Sequence, residues 1–177
     1  MSINWNNIRA IEGQREGFEE LVCQLAGQEK VSNQLRFIRI GKPDGGKECY
    51  WELTNGDIHS WQAKYFTNSL LDNQWKLLDK SVKSAIDNHP KLKKYYIAIP
   101  IDRPDGKVRG KSMLRKWQEH VVEWEKYALL KKMKVSFVYW GKYELESRLR
   151  KLENEGLIYY FFNESELTNK WFDTKNQ

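Results

Sequence analysis

Apolar positions along the chain switch between helical and strand spacing. Ile11, Phe18, Leu21, Val22 and Leu25 recur on one face of a 3.6-residue repeat, so a helix is predicted over 11–26, closed by Gly27, with Glu19 and Glu20 near its middle. Residues 35–40 alternate as a short strand. After the turn-rich Gly-Lys-Pro-Asp-Gly-Gly of 41–46, two β-rich runs at 48–53 and 58–66 flank Asn55-Gly56, a strong hairpin signal. Leu70, Leu71, Trp75, Leu78, Val82 and Ile86 mark a long helix ending near Asn88-His89-Pro90, and 95–101 is a continuous apolar run of the kind found in buried strands. A helix over 112–132, a second buried strand at 135–140 and a helix over 143–152 follow. The tail from Leu157 reads as a short apolar strand and then an amphipathic helix through Trp171. A three-strand meander followed by β-α-β-α units predicts an α/β domain: a mixed sheet of about five strands with helices on both faces.

Composition narrows the class. At 177 residues and 40% hydrophobic content the chain can bury a core as one domain. It contains no apolar run of membrane-spanning length, and Met-Ser-Ile-Asn-Trp-Asn-Asn lacks the basic flank and apolar stretch of a secretory signal, so a soluble cytoplasmic protein with no membrane partner is expected. Cys23 and Cys49 read as buried free thiols, and His59, His89 and His120 are scattered, which argues against a zinc enzyme. The net charge is +6, and residues 91–117 alone hold nine Lys or Arg against two Asp. Positive charge gathered in one stretch suits a phosphate backbone, whose condensed counterions are released on binding. The aromatic set Trp51, Trp61, Tyr65, Phe66, Trp75, Trp117 and Trp124 has strand and helix spacings that assign it to packing.

The hairpin carries the candidate chemistry. Phosphodiester hydrolysis needs a divalent cation, hard oxygen ligands to hold it, and a group that positions or deprotonates water. Strand alternation points Gln62 and Lys64 the same way, while Glu48 begins the neighbouring strand and Asp44 sits in the turn before it. These four groups can converge at one end of the sheet. A Gln-x-Lys match alone is as readily the wet face of a strand.

Pro43-Asp44-Gly45-Gly46-Lys47-Glu48 followed by Gln62-Ala63-Lys64 resembles the motif of the PD-(D/E)xK superfamily, in the Mrr-like restriction-endonuclease branch that carries Gln-x-Lys. The resemblance extends to Phe18-Glu19, to Gln74-Trp75 and to the element order through about residue 150, and it is especially similar to the effector nuclease domain at the N-terminus of antiviral STAND NTPases. It implies a single nuclease domain over 1–177, with a core at about 11–155 and an extension at 156–177 leading toward an NTPase or sensor region. It also implies Glu48 or Asp44 as the acidic metal ligand, Gln62 as a neutral carbonyl ligand, and Lys64 as the residue that orients or deprotonates water. Glu19 would complete or orient the metal shell, with Glu20 as its competitor about 100° away around the helix. Glutamate at 48 departs from the commoner aspartate and leaves the choice between Asp44 and Glu48 open.

The implied activity is Mg²⁺-dependent cleavage of double-stranded DNA with little sequence preference, Mn²⁺ substituting, and one metal favoured because Gln62 is neutral. Lys107, Arg109 and Lys111, in a polar, glycine-containing loop, are the candidate DNA contacts. Self-association, with activation by clustering through regions outside this chain, is expected. The alternatives are a catalytically weak or inactive nuclease-fold module that binds nucleic acid or oligomerises, and a nuclease that acts on RNA by the same metal chemistry.

Overall fold

The computed structural model describes residues 3–9, 12–41, 48–104 and 112–162. Five strands form one sheet: β1 (Gln34–Arg39), β2 (Cys49–Leu53), β3 (Ile58–Ala63), β4 (Leu92–Ala98) and β5 (Ser136–Trp140), in that spatial order. The first three are an antiparallel meander, and β4 and β5 add to β3 in parallel. Around the sheet lie α1 (Gln14–Gly27), α2 (Asp72–Asn88), α3 (Met113–Leu130), α4 (Lys142–Leu149) and α5 (Glu155–Phe162). Parallel neighbours need a long crossover, and α2 and α3 supply it between β3 and β4 and between β4 and β5. The architecture is the mixed α/β sheet predicted from the pattern.

Each face of the sheet has its own core. On one side Cys49, Trp61, Ala63, Ala98 and Trp140 pack with Phe18, Leu21, Val22 and Leu25 of α1, Leu145 and Leu149 of α4, and Phe161 of α5. On the other, Tyr95, Ile97 and Tyr139 pack with Trp75, Leu78 and Val82 of α2 and Trp117 and Trp124 of α3. Alternation along the strands makes this division: Trp61 and Ala63 face α1, so Ser60 and Gln62 face the α2/α3 side. Trp51 and Tyr65 pack at the margin of the α1 core and also make polar bonds, Trp51 Nε1 to the Ala26 carbonyl at 2.9 Å and Tyr65 Oη to the Trp5 carbonyl at 2.6 Å.

Local chemistry sets the element ends. The β2–β3 connection turns at Thr54-Asn55-Gly56, with Leu53 N–H bonded to the Asp57 carbonyl at 2.8 Å and Gly56 at φ 89°, a left-handed value that favours glycine. Gln74 Oε1 accepts the Leu71 N–H at 2.8 Å and Ser112 Oγ accepts the Arg115 N–H at 3.1 Å, capping α2 and α3. At Gly141, before α4, a Cβ atom would lie 2.5 Å from the Tyr139 ring and 2.8 Å from the Ile101 carbonyl, so only glycine lets the chain leave β5 this way.

The tail differs from expectation. Residues from Leu157 to Phe162 belong to α5 and not to a strand, with Phe161 buried in the core on the α1 side and Tyr160 exposed. The helix expected through Trp171 lies outside the described residues. The strand expected over 95–101 runs instead from Leu92 to Ala98, because Leu92 and Lys94 pair with Ile58 and His59 of β3 across an irregularity that skips the exposed Lys93.

Candidate active site

Glu48 and Gln62 meet across the start of β2 and the end of β3. Glu48 precedes Cys49, and its N–H donates to the Trp61 carbonyl at 2.9 Å, so its side chain projects to the face opposite Cys49, the face of Gln62. There the Gln62 side-chain amide donates to Glu48 Oε1 at 3.0 Å. Glu48 is 9% and Gln62 3% exposed, so a carboxylate and an amide share a nearly dry pocket. The same nitrogen lies 3.4 Å from the Ala63 carbonyl, and the Tyr95 hydroxyl donates to Gln62 Oε1 at 3.3 Å. Tyr95 stands beside Ser60 in the β3–β4 register, one step along the same face from Gln62, which brings its hydroxyl within reach.

Lys64 follows β3 by one residue, and its N–H donates to the Ala98 carbonyl at 2.9 Å, so the ladder carries the half-buried lysine past the end of the strand. The two acids of α1 divide as helical geometry requires. Glu20 turns to β1 and is ion-paired with Arg39 through both guanidinium nitrogens, which hold its carboxyl below the usual range. Glu19 turns the other way and accepts from Arg15 Nε at 3.2 Å. That bond holds the Arg15 guanidinium above its ordinary value, with smaller contributions through space from Glu16 and then Glu48. Of the two competitors, Glu20 is the one committed to β1.

Asp44 lies outside the described residues, as do Lys107, Arg109 and Lys111. Gln74 and Trp75, which extended the motif, serve α2 itself: one caps its start and the other, 4% exposed, packs in the α2/α3 core. Two participants carried no sequence signal of their own. Tyr95 reads as one apolar position in a buried strand, and its polar role depends on the β3–β4 register. Arg15 was legible only as a basic residue four positions before Glu19. The two cysteines are free and buried, and the Cys49 thiol, hydrogen-bonded with Cys23 and desolvated, is pushed far up and stays protonated.

Glu48 and Gln62 carry hard oxygen atoms, and the Gln62 amide presents its nitrogen, not its oxygen, to Glu48. Among the described residues no group of three His, Cys, Asp or Glu is disposed to hold a metal. Ligation would rest on the Glu48 carboxylate and neutral oxygens, a set that suits Mg²⁺, which commonly takes one or two carboxylates and completes its shell with water and substrate phosphate. The Gln62 nitrogen bridges two such oxygens, those of Glu48 and Ala63, with its N–H donors supplying the positive edge. Compared with known families and curated proteins, the chain matches no family model and no curated protein. No helix among the described residues is long and apolar enough to cross a membrane.

Proposed function

We propose that this chain is a metal-dependent DNA endonuclease whose site is built from Glu48, Gln62 and Lys64, with Glu19 as a supporting carboxylate. The observation that carries the reading is the buried Glu48–Gln62 pair at one end of the sheet, with Lys64 two residues beyond Gln62. The Glu48 carboxylate is nearly dry and accepts the Gln62 amide N–H, and a divalent cation held there would add to the charge balance of the pocket. When bound, Mg²⁺ or Mn²⁺ would supply Lewis-acid polarisation of the phosphate. Glu48 holds the charge balance of the pocket, and Lys64 orients the attacking water and stabilises the negative charge that develops on the phosphoryl oxygens. The basic stretch of 91–117 supplies electrostatic attraction for a duplex without reading bases. The resemblance to Mrr-like effector nucleases further suggests a role in antiviral defence, with cleavage promoted by clustering of several copies.

Incubation of supercoiled plasmid with the protein and Mg²⁺ or Mn²⁺ tests this. Nicking by the wild type that disappears in Lys64→Ala and Glu48→Ala supports the reading. Nicking undiminished in both variants overturns the site. A second reading, a nuclease-fold module that binds without cutting, is favoured by the Gln62 amide, which presents its N–H and not its carbonyl oxygen to Glu48. Salt-sensitive DNA binding with no cleavage by clustered protein, at any metal concentration, would select it.

A further inference from the structure

The outer edge of β5 is open. The Ile99 N–H donates to the Trp140 carbonyl at 3.0 Å, so Trp140 turns its peptide groups toward β4. Alternation turns those of Phe137 and Tyr139 the other way, and β5 ends the sheet beyond β4. Among the described residues no partner answers these outward N–H and C=O groups. Such a row is a template onto which another extended chain can add. A groove of about 600 Å³ gives access to it. Phe137 and Tyr139, on the α2/α3 side, line this groove together with Val138 and Trp140, on the α1 side, so it wraps the edge instead of lying under one face.

Cations flank the edge on both faces. Arg103 lies over the Tyr139 ring at 4.5 Å and the Trp117 ring at 5.6 Å, on the α3 side. Lys94, beside Ser136 in the β4–β5 register, lies over the Tyr96 ring at 5.5 Å on the α1 side. Both line the groove, and neither is ion-paired among the described residues. Its two acids are already engaged, Glu29 with Arg148 at 2.5 Å and Glu144 with the Gly141 N–H at 3.0 Å. Stacking on a ring holds a cation in place and leaves its N–H donors to a partner. Ser136 and Tyr139 are three residues apart, an odd step, so Lys94 and Arg103 mark opposite faces of the edge. We propose that β5 binds an extended acidic peptide segment of another protein, which adds to the sheet through Phe137 and Tyr139 and sets two carboxylates, three residues apart, on Lys94 and Arg103. A nucleic-acid strand offers anions but no ladder of amide groups for the backbone. Pairing β5 with a second copy of itself would bring like charges together. β4 separates this edge from Gln62, so binding here does not rest on the metal site.

Fluorescence anisotropy of the full chain with the labelled, end-capped peptide Thr-Glu-Val-Thr-Glu-Val tests it. Saturable binding is expected, weakened about three- to fivefold by Arg103→Gln and again by Lys94→Gln, the loss of one partly exposed ion pair each. Strand addition has a readout that charge attraction alone does not move. Of two peptides N-methylated on one or the other alternate set of residues, the one whose methyl groups point at β5 should lose at least about tenfold, and the other should stay within about threefold. In the wild type, saturating peptide should also slow hydrogen exchange at the Phe137 and Tyr139 amides, a measurement that needs no variant. No binding of the parent peptide, equal binding of both methylated peptides, or unchanged exchange at Phe137 and Tyr139 would overturn the proposal. Tighter binding of a single-stranded oligonucleotide that displaces the peptide and is lost in the same two variants would overturn it in favour of phosphates. Protection of these amides that rises with protein concentration alone would overturn it in favour of a second copy.

Discussion

The Gln62 amide and the Glu48 carboxylate, fourteen residues apart in sequence, are hydrogen-bonded at 3.0 Å inside a pocket that exposes neither. The antiparallel pairing of β2 and β3 makes the contact, with Gln62 donating to Glu48. The proposed cation would link stability and metal response at this one pair of side chains.

Removing the donor should show that linkage. Gln62→Leu leaves the buried carboxylate without its amide partner and is expected to lower unfolding free energy by about 1–3 kcal/mol in urea titrations at neutral pH. Saturating Mn²⁺ should restore part of the loss, since an ion that binds only the folded state stabilises it. A variant as stable as the wild type, with no response to Mn²⁺, would contradict the assignment of Glu48 as the acid of the site.

The two acids of α1 should separate cleanly. Glu20 is tied to Arg39 at the surface, so Glu20→Gln is expected to cost less than about 1 kcal/mol in thermal unfolding and to leave Mn²⁺ affinity unchanged. Glu19 pairs with Arg15, and as a supporting carboxylate of the proposed site its replacement in Glu19→Gln should weaken Mn²⁺ binding several-fold by calorimetry. The opposite ranking would mean that the other face of α1 serves the site.

His59 gives a pH dependence of known sign. Burial, aided by the Lys94 charge, pushes its folded-state pKa below the ordinary 6.5. Below pH 6.5 the unfolded chain therefore takes up the proton first and folding loses stability, until the pH has fallen through the lowered folded value. Above pH 6.5 the contribution is fully present. Urea unfolding from pH 7.5 to 5 should show stability falling on the acid side, and His59→Gln should flatten that fall. An unchanged slope in the variant would assign the acid sensitivity elsewhere.

Much of this arrangement was legible in the sequence, and the reasons differ by element. The meander and the β-α-β units followed from strongly periodic segments such as Leu78, Val82 and Ile86, whose helical spacing has one physical solution. The convergence of Glu48 and Gln62 followed from strand alternation together with the Asn55-Gly56 turn. What was not legible depends on tertiary contact. Leu157–Phe162 has the composition of a strand but becomes helical because one side buries Phe161 against the α1 core. The choice of Glu19 over Glu20 depends on where Arg39 of β1 lies, and Tyr95's hydroxyl finds Gln62 only through the β3–β4 register. Asp44, Lys107, Arg109 and Lys111 stand outside the described residues, so the turn acid and the proposed DNA contacts keep the standing of sequence proposals.

Lys64 should separate chemistry from binding. Lys64→Ala is expected to retain Mn²⁺ affinity within about threefold, because an ammonium is not a ligand, and to lose at least about 10²-fold in nicking rate as the charge on the phosphoryl oxygens goes unanswered. Loss of metal affinity with nicking intact would reverse the roles assigned here.

The central claim is that one divalent cation sits against Glu48 and Gln62, and it can be tested without any need for clustering or substrate. Anomalous diffraction from crystals soaked in Mn²⁺ measures it directly. The account predicts a single strong peak within about 2.0–2.4 Å of a Glu48 carboxylate oxygen and of the Gln62 carbonyl. A soaked crystal with no peak there, and with Gln62 still donating to Glu48, would contradict it.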